Sequence, residues 1–219
     1  MLLLTATLVA DGSSDSLLKP ILEWLLGQHL PPETVLDIRV PEWGRLPLRR
    51  PLRNLTEKLL AAQQFFPANL YFIHRDAEKE DAWPARQHEI DESIARVFRQ
   101  QVPPYIRVIP VQMTETWLLH NEAALRLAAE NPNGRIPLRL PDPTSLETQK
   151  QAKLLLLKLL REASGLVGRR LAKFEANERR RLHRLADLQQ EQGFAMLRVL
   201  PAFQALEAEV IALTTKLNE

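Results

Sequence analysis

The first fifteen residues constrain the fold of this chain more than any other stretch. Residues 2–10, LLLTATLVA, form a short apolar run closed by Asp11-Gly12-Ser13-Ser14-Asp15. The run is too short to span a bilayer and no basic residue precedes it, so it reads as neither a membrane helix nor a signal peptide. Its length and closing turn suit a strand buried on both faces. Gly12 permits a tight turn, and Ser13 or Ser14 suits a helix cap. Leu17, Leu18, Ile21, Leu22 and Leu25 then recur at helical spacing. The order is strand, acidic turn, helix. In an open parallel sheet, ligands sit beyond the carboxyl ends of the strands, and Asp11 falls at such an end.

The same alternation continues. A helix over 15–29 stops at Pro31-Pro32, and VLDIRV at 35–40 alternates as a second strand. The loop PEWGRLPLRRPLRN carries Arg45, Arg49, Arg50 and Arg53 and leads into a helix over 52–65. A third strand at 70–74 ends in His74-Arg75-Asp76-Ala77-Glu78. A helix over 84–101, a fourth strand at 106–111 and a helix over 115–129 follow. This order predicts an α/β, Rossmann-like fold with a mainly parallel four-stranded sheet flanked by helices. The stretch NPNGRIPLRLPDP at 131–143 is irregular, and helices are expected over 146–163, 169–190 and 201–217. Residues 1–145 therefore read as the α/β core, and 146–219 as a C-terminal helical extension packed on it in one compact domain or covering its active edge.

Composition narrows the function. There is no Cys among the 219 residues, which removes disulfides, thiolate metal sites and a cysteine nucleophile, and fits a cytoplasmic protein. No apolar run is long enough for a membrane helix, so no membrane partner is expected. A net charge of +2 is small, so any nucleic-acid surface must come from local clustering of basic residues.

Three acids fall at strand ends: Asp11, Asp76 and Glu115. Asp15 and Glu78 stand nearby. Two carboxylates ~4 Å apart repel by about 4 kcal/mol in a protein-like dielectric, so such a cluster requires a cation or a proton. Oxygen donors without thiolates suit Mg2+ or Mn2+, and the chemistry that uses such a site is phosphoryl or phosphodiester transfer. Each acid also has a plainer role. Asp15 and Glu115 suit the first turn of a helix, Asp11 suits a turn, and Asp76 and Glu78 lie in the charged segment HRDAEKED. Arg45, Arg49, Arg50 and Arg53 suit phosphate binding or simple solvation. The run Arg179, Arg180, Arg181 and Arg184 reads as a solvated helix face with Glu175 and Glu178 as partners. Trp24 and Trp117 read as core. Trp43 and Trp83 suit stacking on a base, a partner contact or packing of a lid. His74 suits metal binding, proton relay or a buried hydrogen bond.

The acid-Gly turn with a second acid (Asp11, Gly12, Asp15) and the later acid-x-acid (Asp76, Glu78) resemble the TOPRIM fold of topoisomerases, primases and overcoming-lysogenization-defect nucleases. The block PVQMTETWLL at 110–119 is similar to the TOPRIM-like family called domain of unknown function 4276, and LRVLPAF at 197–203 resembles that family's C-terminal region. The resemblance implies a TOPRIM-like nuclease or nuclease subunit acting on DNA or RNA with Mg2+ or Mn2+. It also implies an ABC-type ATPase partner in bacterial phage defence. Asp11 and Glu115 are then the catalytic candidates. Asp11, Asp15, Asp76 and Glu78 are the candidate metal ligands, and Arg45, Arg49, Arg50 and Arg53 the nucleic-acid contacts. The chain departs from the TOPRIM pattern in having Asp11-Gly12 for Glu-Gly and Asp76-Ala77-Glu78 for Asp-x-Asp. Both changes keep a carboxylate and alter its reach by a methylene, so a catalytically inactive interaction or regulatory module is the alternative reading. A receiver-type phosphotransfer protein ranks last, because the pattern lacks a fifth strand followed by a Lys.

Overall fold

Strands β1 (Leu2–Val9), β2 (Thr34–Arg39), β3 (Leu70–His74) and β4 (Tyr105–Val108) pair into one sheet of order β2-β1-β3-β4 in which every pairing is parallel. The computed structural model describes residues 2–10, 12 and 15–217. Asp11, Ser13 and Ser14, which the sequence placed in the turn after β1, lie outside the described residues. β3 is buried at all five positions, as a central parallel strand must be. β1 is buried from Ala6 to Val9, but Leu3 is 56% exposed. The reason is register: β3 first meets β1 at Ala6, so the start of β1 pairs with β2 alone.

Eight helices are described: α1 (Leu18–His29), α2 (Leu55–Phe65), α3 (Trp83–Val97), α4 (Glu122–Ala128), α5 (Ala152–Ser164), α6 (Gly168–Glu175), α7 (Glu178–Gln192) and α8 (Pro201–Leu217). Local chemistry sets their ends. Asn54 caps α2 by accepting from the Glu57 amide at 2.9 Å, while the Glu57 carboxylate accepts from the Arg53 amide at 2.8 Å. This reciprocal arrangement delays the helix past Leu52, where periodicity alone started it. The helix expected over 115–129 is instead a 3-10 segment, Thr114–Leu118, followed by α4. Asn121 separates them by capping α4 through the Ala124 amide. The helix expected over 169–190 is two helices, because Asn177 turns its amide back onto the Lys173 carbonyl at 3.1 Å and ends α6.

The pleat sorts the core into two layers. Leu8, Phe72, Ile106 and Val108 point to one face and pack with Leu18, Leu22 and Leu25 of α1. Val9, Tyr71 and Ile73 point to the other and pack with α2 and α3 through Leu55, Leu59, Ile90 and Ile94. The C-terminal helices join the first layer: Leu156, Leu160, Leu185, Phe203 and Leu206 belong to the same continuous cluster as β1 and β3. Trp117 meets Phe203 edge to face at 5.5 Å. α8 also closes the sheet. The Glu209 carboxylate accepts from the Arg107 amide at 2.8 Å and from its Nε at 2.9 Å, blunting the free edge of β4. Among the described residues, no helix is long and apolar enough to cross a membrane.

Gly193 ends α7 at φ +84, and a Cβ there would sit 2.9 Å from Trp24 Nε1. Trp24 in turn packs edge to face on Phe194 with ring centroids 5.9 Å apart. Gly193→Ala is expected to destabilise the fold by about 1–3 kcal/mol, the cost of a side chain forced into a backbone region that glycine alone adopts freely. Urea unfolding followed by circular dichroism measures it, and an unchanged midpoint contradicts the assignment.

Candidate active site at the carboxyl edge of the sheet

The strand order reverses between β1 and β3, because the chain passes from β1 outward to β2 and then returns across β1 to reach β3. The two connections leave on opposite faces, which opens a crevice at the carboxyl ends of β1 and β3. Both strands end in polar residues there. After β1 the chain reaches Gly12 and then Asp15, the first residue of a 3-10 turn that leads into α1. β3 ends on His74, with Asp76 two residues on.

These residues form a line of charge. His74 Nδ1 lies 3.3 Å from Asp15 Oδ2, and His74 Nε2 lies 3.1 Å from Asp76 Oδ1. His74 is only 1% exposed and Asp15 6%. The Gly12 amide donates to Asp15 Oδ2 at 2.7 Å, and the Thr114 amide to Asp76 Oδ1 at 3.1 Å. Thr114 Oγ1 stands 3.2 Å from His74 Nε2. Burial disfavours charge on the imidazole, but the hydrogen bonds and charges of Asp15 and Asp76 outweigh it and raise the His74 pKa to about 9. The shift favours the imidazolium over the neutral ring. Burial also works against the Asp15 charge. The His74 hydrogen bond and charge, the Gly12 amide and Lys58 overcome it, and the Asp15 pKa is held below its ordinary value. Lys58, buried on α2, has its own pKa lowered by burial, with Asp15 opposing.

The sequence called for a cation or a proton among these acids, and His74 supplies one from within the chain. Asp15 and Asp76 are brought together through it. Glu78 stands on the rim with its side chain 76% exposed, 3.9 Å from Arg86, in a left-handed conformation at φ +60. Glu115 has a different partner: it is buried and pairs with Lys153 of α5 at 3.5 Å. Asp11 lies outside the described residues. Asp76 and Glu78 are hard oxygen donors of the kind that suit Mg2+. Among the described residues, however, no group of three or more His, Asp or Glu is placed to hold a metal ion. A resident cation there requires a further ligand, and Asp11 is the candidate.

The arginine loop divides by partner. Arg45 pairs with Glu42 at 2.7 Å, and Arg50 grips Glu57 with both terminal nitrogens at 3.1 and 2.7 Å. Arg49 and Arg53 are exposed and form no ion pair among the described residues. Trp43 is a structural pin, its Nε1 donating to the Ala10 carbonyl at 2.8 Å and tying this loop to the end of β1. Trp83 likewise donates to the Ile109 carbonyl at 3.3 Å.

Sequence reasoning missed Lys58 and Thr114. Lys58 carried a signal: it stands with Leu55, Leu59 and Ala62 at the spacing of a buried helix face, where a lysine needs a partner. Thr114 carried none, because its role depends on a loop reaching across from β4. No family model, curated protein or solved structure matches this chain.

The charged line gives stability a definite pH dependence. A histidine whose pKa rises on folding stabilises fully below its unfolded value of 6.5, and that contribution is lost as pH rises through about 9. The depressed Asp15 contributes above its ordinary value of 3.8, and that share is lost as pH falls through the lower, folded value. Unfolding free energy is expected to fall by roughly 3 kcal/mol on the alkaline side. His74→Gln should remove this alkaline decline and cost about 3–5 kcal/mol at neutral pH, because buried Asp15 loses the charged partner that hydrogen-bonds it and keeps only the weaker influence of Lys58. Urea titrations across the range test both, and an identical alkaline slope in the variant contradicts the assignment.

Proposed function

We propose that this chain is a TOPRIM-like, metal-dependent nuclease or nuclease subunit that hydrolyses nucleic-acid phosphodiesters at the carboxyl edge of the sheet and works with an ABC-type ATPase. One observation carries the reading: Asp15 and Asp76 meet through buried His74 at the switch point of the sheet, with exposed Glu78 beside them. Chemistry in doubly wound sheets is placed at this point. A divalent cation bound by Asp76, Glu78 and Asp11 would stabilise charge on the phosphorus oxygens and activate water. The chain's own residues prepare that position. His74 and the Thr114 amide fix one oxygen of Asp76, which stays 35% exposed. Exposed Arg49 stands in the loop that follows β2, where it can meet a phosphate.

A second reading, a non-catalytic regulatory module, is favoured by the same imidazolium. His74 already balances one of the two acids, which lessens the need for a metal there.

Cleavage of labelled DNA and RNA by the purified chain, alone and with its ATPase partner and ATP, separates the two. Cleavage is expected with Mg2+ or Mn2+ and none with EDTA. Asp76→Asn should lower the rate by about 100-fold or more, and His74→Gln, which acts through Asp76, by about 10–100-fold. Cleavage that persists in EDTA overturns the metal mechanism. Absence of cleavage with partner, metal and ATP all present leaves the regulatory module.

A further inference from the structure

Positive charge is concentrated in one corner of the molecule. Residues 168–184, which form α6 and the start of α7, hold seven Lys and Arg against two acids, Glu175 and Glu178. The whole chain carries only +2, so the chain outside this corner is net negative. The acids that spacing paired with these arginines do not neutralise them. Glu175 turns instead to Arg161 of α5 at 2.6 Å. Glu178 forms no ion pair among the described residues and stands in the first turn of α7, which favours an acid. Glu130, just past α4, takes Arg181 at 3.2 Å and Arg184 at 3.6 Å.

Four cations are left over. Arg169, Arg170, Lys173 and Arg180 are exposed and form no ion pair or hydrogen bond among the described residues. Arg179 already has a partner and is not one of them. Spacing sets three of the four on one face of α6, since Lys173 lies four residues past Arg169 and three past Arg170. The opposite face is held down: Leu171 packs against the core, and Phe174 is buried in it. Arg181 of α7 lies 3.7 Å over the Phe174 ring and donates from Nε to the Phe174 carbonyl at 3.4 Å, which fixes α7 against α6. A hollow of about 520 Å³ runs beside Arg180, and no acid lines it.

The geometry points to the outer face of α6 and the first turn of α7 as a docking surface for double-stranded nucleic acid, with Arg169, Arg170, Lys173 and Arg180 on its phosphates. The inference rests on the nuclease reading for its choice among polyanions, and adds to that reading where and in what form the substrate is held. Three of the four cations are arginines, whose guanidinium meets phosphate oxygens through two parallel hydrogen bonds. The surface offers no ring for a base to stack on, because Phe174, the one Phe, Tyr or Trp over 168–184, is buried beneath Arg181. Single strands are held on such rings. A duplex is held without them, through phosphates that it presents at twice the density of one strand. A lipid surface fits less well. The large apolar side chains of α6 turn inward, which leaves only Val167, just before the helix, to insert.

The test is binding of a fluorescent DNA duplex to the full chain in EDTA, by anisotropy over a range of salt. EDTA removes metal-dependent turnover, so binding is read separately from cleavage. Arg170→Gln with Lys173→Gln, both exposed positions, should weaken binding by about tenfold or more and flatten the log–log salt slope by roughly 1.8, the counterions of two phosphate contacts on a duplex. An equal loss of charge at the end of α3, on the other face of the sheet, is made by Arg96→Gln with Arg99→Gln. That pair should leave the slope unchanged. A single strand of the same length should compete less well than the duplex. The inference is overturned if the wild-type chain binds no duplex, if the α6 variant keeps the wild-type slope, if the α3 pair costs as much, or if the single strand competes equally. Binding to vesicles of phosphatidylcholine with phosphatidylserine, but not to duplex, overturns it in favour of a membrane surface. Duplex binding through α6 without metal-dependent cleavage supports the surface and removes the nuclease reading. Cleavage of duplex with a slope that the α6 variant does not change keeps the nuclease and removes the surface.

Discussion

The candidate site is organised around one buried interaction, the His74 ring held between Asp15 and Asp76. Asp15 and Asp76 come from different strands, on either side of the point where the sheet reverses direction. A positive charge on the ring between them offsets their repulsion. His74 is placed there by the register of β3, which ends its pleat with this side chain 1% exposed. The ring in turn needs both acids, because burial alone would leave it neutral. The β4 connection adds Thr114, and α2 adds Lys58, so every layer of the sandwich contributes to holding the line.

The helical region beyond residue 146 is not an appendage in energetic terms. Its leucines continue the core of the sheet, and Trp117 with Phe203 ties the loop after β4 to α8. α8 closes the edge strand through Glu209 and Arg107. α7 meanwhile supplies one wall of a groove that opens at the turn after β1. The same helices thus complete the fold and border the approach to the site.

Much of the frame was legible in the sequence. Apolar runs of strand length, each closed by a turn and followed by helical spacing, gave the parallel sheet, and β3 and α8 fall where the pattern put them. Strand ends also pointed to Asp11, Asp76 and Glu115, of which Asp76 joins the site with nearby Asp15, Glu115 pairs with Lys153 instead and Asp11 lies outside the described residues. What failed to show was partner choice. Nothing in the spacing says that Glu115 pairs with Lys153, that Arg50 belongs to Glu57, or that Arg181 turns onto Phe174 while Arg180 faces open space. Those outcomes follow from helix phase and from loops crossing between layers, which are long-range facts. The 3-10 segment before α4 was hidden for a related reason: an asparagine cap competes locally with a helix that the apolar pattern would otherwise continue.

The most direct test of this account is the imidazole nitrogen spectrum of His74 in the folded protein, followed by nitrogen-15 NMR as pH is raised. The account predicts two protonated ring nitrogens at neutral pH and a titration midpoint near 9. A neutral tautomer at pH 7, with one nitrogen bare, would contradict it, because Asp15 and Asp76 would then face each other with no cation between them.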